Sequence, residues 1–340
     1  MRAILLFPSL AILLYLTTHA QADDAVSLFY DGRTVNVIVG TPPGGGYDTY
    51  ARLTGRFLGR HIPGNPSVVV QYMPGAGGVK AANYTYTAAP RDGTTITTFN
   101  NHIPSQQLIG IPGVELKSEE LSWIGALSSD SITYVAWHKA GIKTIQDVME
   151  KQIVFGASGP YGSVANGAVL MNKLLGTKFK IVTGYAGGQA VALALERGEV
   201  DSIGTSWGSF NSLNPAWISE GRIIPLVQVS LTHQRGLEQV PLLVELAKTE
   251  QDREIFYLYS ADASIARPYA APPKLPKDRL EALRTAFMNM TKDQEFLDMA
   301  KRQNMLIDPT HGADVQKIVE TILSTSLPVK ERMKEFLVKE

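Results

Sequence analysis

The 340-residue chain carries 32 Lys plus Arg against 32 Asp plus Glu and has no cysteine. Balanced charge without a long basic run excludes the electrostatic footprint of a nucleic-acid binder. The missing thiols exclude disulfides, thiolate metal sites and a lipid-modified cysteine, and the length allows one large or two ordinary domains.

The N-terminus predicts the compartment. Arg2 precedes an apolar run, Ala3 to Leu16, and the small residues Ala20-Gln21-Ala22 follow. This layout is that of a secretory signal peptide over residues 1–22, and the run falls short of the roughly 20 residues a spanning helix needs. The expected mature protein begins at Asp23, is soluble, and resides in the periplasm.

Strands and helices then alternate. Val35 to Val39 is a β-branched run that ends in Gly40-Thr41-Pro42-Pro43-Gly44-Gly45-Gly46, so a strand and a turn are predicted. From Asp48, apolar Tyr50, Leu53, Phe57 and Leu58 alternate with Arg52, Arg56 and Arg60, the spacing of an amphipathic helix. Val68 to Tyr72 is the next strand, closed by Pro74-Gly75-Ala76-Gly77-Gly78, before a helix near Val79 to Ala88 and a strand at Thr94 to Phe99.

The same unit returns in the second half. Ser131 to Trp137, Ile153 to Phe155, Phe179 to Val182, Val200 to Ile203 and Ile223 to Val229 read as strands. Helices are predicted at Thr144 to Met149, from Ser163 to about Leu175, and at Gln189 to Arg197. Three more, Asp278–Met290, Asp293–Gln303 and Asp314–Leu323, fill the C-terminal third. Strands alternating with helices imply α/β architecture built from parallel βαβ units. The repeat of strand, glycine-rich turn and helix, near residue 40 and near residue 156, implies two similar lobes. In open α/β sheets ligands bind beyond the carboxyl ends of the strands, where these turns lie.

Two turns are candidates for chemistry. In Pro43, Gly44, Gly45, Gly46, Tyr47 and Asp48, the glycines permit close approach of backbone to ligand, and the following helix offers N–H groups and a positive dipole end. The turn either merely joins a strand to a helix or holds an anion. A P-loop is excluded because Tyr47-Asp48 stands where Lys-Ser/Thr is required, and the Rossmann spacing is absent too. Asp48 falls in the first helical turn, placed to cap it and to pair with Arg52. The second turn, Ser158, Gly159, Pro160, Tyr161, Gly162 and Ser163, offers hydroxyls ahead of a helix. Neither turn contains Lys or Arg, so the expected grip on an anion uses backbone N–H groups, hydroxyls and water rather than an ion pair.

Gly204-Thr205-Ser206-Trp207-Gly208 matches the nucleophile elbow G-x-S-x-G, with Asp262 and His311 downstream as possible triad partners. A periplasmic serine hydrolase using Ser206 is therefore the alternative reading. Against it, Asn211 to Pro215 does not read as the long helix that should follow the elbow. His61, His102, His138, His233 and His311 are dispersed without metal-ligand spacing, so no metal and no cofactor is predicted. His102 follows a strand end with Asn100 and Asn101, which places these residues toward the cleft.

Val37-Ile38-Val39 through Pro43-Gly44-Gly45-Gly46-Tyr47-Asp48 and Ala51-Arg52 resembles the opening of Bug-type solute receptors of tripartite tricarboxylate transporters. Pro74 to Gly78, Ala89-Pro90-Arg91-Asp92-Gly93-Thr94, Phe155 to Ser163, and Tyr185-Ala186-Gly187-Gly188 through Asp201 match in order and spacing. The resemblance implies a two-lobed periplasmic binding protein (type II, Venus flytrap) with a βαβ sheet in each lobe and a hinge between them. Residues 23–131 and 239–340 would form the first lobe and 132–238 the second. It further implies a non-enzymatic, monomeric receptor that passes a small organic anion, a di- or tricarboxylate or an aromatic carboxylate, to integral membrane transporter subunits; presentation to a membrane sensor would use the same cleft. Ligand contacts carried over by position are Pro43 to Asp48, Ser158 to Ser163, and Tyr185 to Gly188. Asn100, His102, Ser206 and Trp207 join them from the strand ends above. The chain departs from the family pattern at Tyr47, at Gln71-Tyr72-Met73 and at Pro160-Tyr161. Tyr47 and Tyr161 would supply an aromatic wall.

Overall fold

The structure is a computed structural model that describes residues 25–129, 131–160 and 162–338. The expected signal peptide at residues 1–22 lies outside the described residues. Among the described residues no helix is long and apolar enough to cross a membrane.

After a short helix α1 at residues 25–30, the first sheet starts from β1 (Thr34–Val39), flanked in parallel by β2 (Ser67–Tyr72) and β3 (Thr95–Thr98). The helices α2 (Gly46–Phe57) and α3 (Val79–Thr87) make the crossovers, and α4 (Ile103–Ile109) follows β3. The chain returns through β4 (Ser122–Ser128) and then crosses to the second sheet. There β5 (Ile132–Trp137) leads through α5 (Ile145–Glu150) to β6 (Ile153–Gly156), α6 (Ser163–Leu170) and β7 (Phe179–Val182). The lobe continues with α7 (Gly188–Glu196), β8 (Ser202–Ser206), the short helices α8 (Trp207–Leu213) and α9 (Pro215–Ser219), and β9 (Ile223–Val229). Helix α10 (Glu250–Ala261) carries the chain back to β10 (Ala266–Ala271). Then come α11 (Lys277–Met290), α12 (Gln294–Arg302), β11 (Thr310–His311), α13 (Gly312–Leu323) and α14 (Leu327–Leu337).

The strand orders are β11-β4-β10-β3-β1-β2 and β7-β6-β8-β5-β9. Both sheets are mixed, which refines the expectation of parallel construction. Three adjacent parallel strands, β3-β1-β2 and β7-β6-β8, make up one side of each, and β10 in the first and β5 in the second run antiparallel to their neighbours. The reason is topological: the strand that returns from the other lobe arrives from the opposite end of the sheet. A two-lobed α/β binding fold results, with helices covering both faces of each sheet.

Apolar periodicity decides which faces are covered. Tyr50, Leu53 and Phe57 of α2 lie on one stripe and pack with Val35, Val37, Val39 and Phe287 on one face of the first sheet. Phe99, Ile103, Trp123, Val315 and Val319 fill the other. In the second lobe Tyr134 stacks on Phe155, which meets Phe179 edge-on in the core that also takes Ala165 and Ala168 of α6, while Val191, Leu195 and Trp217 cover the opposite face. The segment 239–340 serves both lobes. Strands β10 and β11 join the first sheet, whereas Ile255 and Phe256 of α10 and Met333 and Leu337 of α14 pack into the core of the second.

Candidate functional site

The two sheets turn the carboxyl ends of β1, β3, β6, β7 and β8 toward one cleft. At β1 the chain leaves through Thr41-Pro42-Pro43, and Gly44 takes a positive φ of 88° that an L-side chain seldom adopts. Gly45 then caps α2. The turn is locked from behind by Asp48, whose carboxylate accepts from Gly44 N at 2.8 Å, Arg52 Nε at 2.8 Å and Tyr72 Oη at 2.5 Å. Burial pushes the Asp48 carboxyl up, but the hydrogen bonds from Arg52, Tyr72 and Gly44 outweigh burial and hold it below its ordinary value.

Three helices begin at the cleft with glycine as the capping residue: Gly45 for α2, Gly162 for α6 and Gly187 for α7. Among the described residues, none of the three is capped by a side chain. Their first-turn N–H groups and positive dipole ends are therefore left to whatever occupies the cleft. By contrast α8 is capped internally, Ser206 Oγ accepting from Ser209 N at 3.0 Å.

A cavity of about 450 Å³ lies between these elements. Its walls include Pro42, Pro43, Ile132, Val164 and Leu193, with polar groups from Thr41, Asn100, Asn101, Ser163, Gln189, Thr205, Ser209 and Arg267. Among the described residues, no Asp or Glu lines it. The buried Thr41 Oγ1 has no hydrogen-bond partner among the described residues. An adjoining cavity of about 540 Å³ shares Thr41, Pro42 and Gly187 with the first.

Of the residues singled out in the sequence, Pro43, Gly45, Gly46, Tyr47, Asn100, Ser163, Gly188 and Ser206 line the first cavity. Ser158, Gly159, Gly162 and Tyr185 line the second. Tyr161 lies outside the described residues. Gly44, Asp48, His102 and Trp207 line neither. Gly44 and Asp48 shape the turn, and Trp207 is buried with its ring 6.1 Å from that of Phe210. His102 is buried away from both cavities. Its Nδ1 lies 2.7 Å from Asp262 Oδ2, both side chains being buried, and its ring is 5.0 Å from that of Tyr259. Tyr47 is itself pinned, its hydroxyl accepting from Asn101 N at 3.1 Å.

Arg267 is the residue the turns did not announce. It belongs to β10 of the first lobe, is 4% exposed and has a positive φ of 56°. Its Nη2 donates across the cleft to Ser206 Oγ and, at 3.0 Å, to Ser209 Oγ. Its guanidinium carbon lies 4.7 Å from the Tyr47 ring centre and 4.9 Å from that of Tyr50. The lobes also meet where Asn100 Nδ2 donates to Ser163 Oγ at 3.4 Å. The partners of Ser206 Oγ among the described residues are thus serine and arginine, not histidine. Asp262 pairs with His102, and His311 caps α13 by accepting from Ala313 N at 3.2 Å. No triad forms around Ser206 from the residues proposed for it.

The fold is shared with solved binding proteins. BugD, described as a periplasmic binding protein, superposes with a TM-score of 0.70 at 18% identity, covering 91% of this chain and 99% of its own. MatC of Rhodopseudomonas palustris, solved with malate, gives 0.69 at 17% identity over 90% of this chain and 99% of its own. A second R. palustris protein, solved with adipate, gives 0.69 at 17% over 90% and 98%. Among curated protein sequences nothing matches. The model of the tripartite tricarboxylate transporter family receptor, TctC, matches residues 60–330, and the chain belongs to that family of solute-binding receptors.

Proposed function

We propose that this protein is an exported receptor, not an enzyme, that holds a small organic carboxylate between its lobes and delivers it to a membrane transporter of the tripartite tricarboxylate type. One observation carries the reading. Three helix amino ends without side-chain caps, together with Arg267, face a cavity that no carboxylate among the described residues lines. Such a cavity has a positive field and unsatisfied donors, which suits an anion and disfavours a cation. Pro43, Gly45, Gly46, Tyr47, Asn100, Ser163, Gly188 and Ser206 are the proposed contacts, with Ser158, Gly159, Gly162 and Tyr185 extending the site. Proteins of the same fold hold malate and adipate, acids of the size this cavity accepts.

A thermal-shift screen of malate, citrate, adipate, benzoate, phenylacetate and glutamate, at matched ionic strength, tests the proposal. At 100 times its Kd a ligand adds about 2.7 kcal/mol to stability, so a fitting acid should raise Tm by several degrees. Indifference to every acid in the panel would remove the proposal.

The same geometry ranks two substitutions. Arg52 is 62% exposed, lines neither cavity and forms a solvent-exposed ion pair with Asp48, so Arg52→Gln should change affinity by less than about 3-fold. Gly45 lines the cavity, and the side chain of Gly45→Val would enter the space meant for ligand. Titration calorimetry with the best acid should show the larger loss for Gly45→Val; equal losses would count against the assignment of this turn.

A further inference from the structure

We propose that Arg267 is the ionic anchor of the site, one carboxylate of the bound acid seating directly on its guanidinium between Tyr47 of the first lobe and Ser209 of the second. The proposal rests on the reading of the cavity as a carboxylate site and names the group that makes it choose an ionised acid.

Helix amino ends and hydroxyls cannot make that choice sharply. They donate to neutral acceptors as well as to anions, and their partial charges favour a carboxylate over an amide carbonyl by less than a full charge would. A guanidinium carries a full charge and a planar fork of donors that matches a carboxylate in two parallel hydrogen bonds. Arg267 lines the cavity and is 4% exposed, so its charge acts where water screens it little. Its plane is held: Nη2 is tied to Ser206 and Ser209, and the Tyr47 and Tyr50 rings lie within 5 Å of its guanidinium carbon. The left-handed backbone at Arg267 is an uncommon conformation for a residue with a side chain, maintained here inside a buried strand. Because β10 belongs to the first lobe and α8 to the second, the same guanidinium spans the cleft. An acid seated on it would be held by both lobes at once.

The experiment compares affinity for an acid with affinity for its primary amide. The probes are benzoate with benzamide, phenylacetate with phenylacetamide, and adipate with adipamide, measured by calorimetry on the full mature chain. Wild type should prefer the acid of its best pair. Arg267→Gln should lose about 30-fold or more in affinity for that acid, the lower end for truncating one partner of a buried charge pair. Its affinity for the amide should move by less than about 3-fold. Arg267→Lys should keep part of the preference, since it keeps the charge without the fork. If Arg267→Gln weakens acid and amide alike, Arg267 only shapes the cleft and the proposal is overturned while the receptor stands. If wild type binds no acid at all, both readings fall. If Arg267→Gln does not fold, a crystal structure of wild type with the best acid decides. A carboxylate within hydrogen-bonding distance of the guanidinium supports the proposal, and one held by backbone and water alone overturns it.

Discussion

Gly46→Val should weaken ligand binding by about 100-fold, the upper end of the cost of overpacking a close contact, while both lobes stay folded. Gly46 opens α2 in the first lobe and faces α8 of the second. A Cβ there would lie 2.2 Å from Ser209 Oγ, 3.3 Å from Ser209 Cβ and 3.2 Å from Arg267 Nη2. Rotating the serine relieves the first contact but not the other two, and valine adds two methyl groups beyond that Cβ. The strain is relieved if the two lobes part at the cleft, as the hinge implied by the receptor reading would allow. Cost therefore falls on closure and affinity rather than on folding. Gly45→Ala is the comparison: its added methyl meets no protein atom within 4 Å and the backbone φ of −95° suits alanine, so any loss of affinity there reports intrusion on the ligand and not on the lobe contact. Calorimetry and a denaturation curve for each variant check the expectation. If Gly46→Val bound the acid within about 3-fold of wild type, the lobe contact drawn here would not be the one formed around ligand.

What the chain discloses by itself follows from how local each signal is. The strands β1, β2, β7 and β9 are β-branched runs bounded by turn residues, and their limits are legible to within a residue. Residues 122–128 are not legible: the segment is buried on both faces, so it lacks the alternation that marks a half-buried strand. Strand β10 is harder still. Its sequence ARPYAA places an arginine and a proline in a central strand, where local preference argues against one. Only the pairing with β3 and β4 makes it a strand, and that pairing joins segments far apart in sequence. Arg267 was invisible for the same reason. The turns near residues 44, 159 and 187 announce themselves because their glycines cluster in sequence between a strand and a helix. An arginine brought in by sheet topology has no local pattern. That neither glycine turn carries Lys or Arg says nothing about what a strand from elsewhere in the chain brings to the same cavity.

Asp48→Ala is the other substitution with a large expected effect, and it acts on the scaffold of the turn rather than on its face. Three donors converge on a carboxylate that is 4% exposed, and Gly44 N, Tyr72 Oη and Arg52 Nε all lose their acceptor with it. Hydrogen bonds to an ionised group contribute about 1.5–3 kcal/mol, and water can reach the exposed Gly44 and the half-buried Tyr72, so a loss of about 2 kcal/mol is expected in a urea titration. The pH dependence has a definite sign. Hydrogen bonds depress the folded carboxyl below its unfolded value of about 4, so the unfolded chain binds the extra proton as pH falls. The stabilisation is fully present above that value and is lost as pH falls through the lower, folded one. The stability gap between wild type and Asp48→Asn should accordingly hold steady from pH 7 to about pH 5 and narrow below about pH 4. A gap that persisted undiminished at pH 2 would show that the ionised carboxylate does not hold the turn. Because Gly44 hangs from Asp48, the alanine variant should also bind ligand less tightly through a disordered turn, and ligand at saturating concentration should recover part of the lost stability.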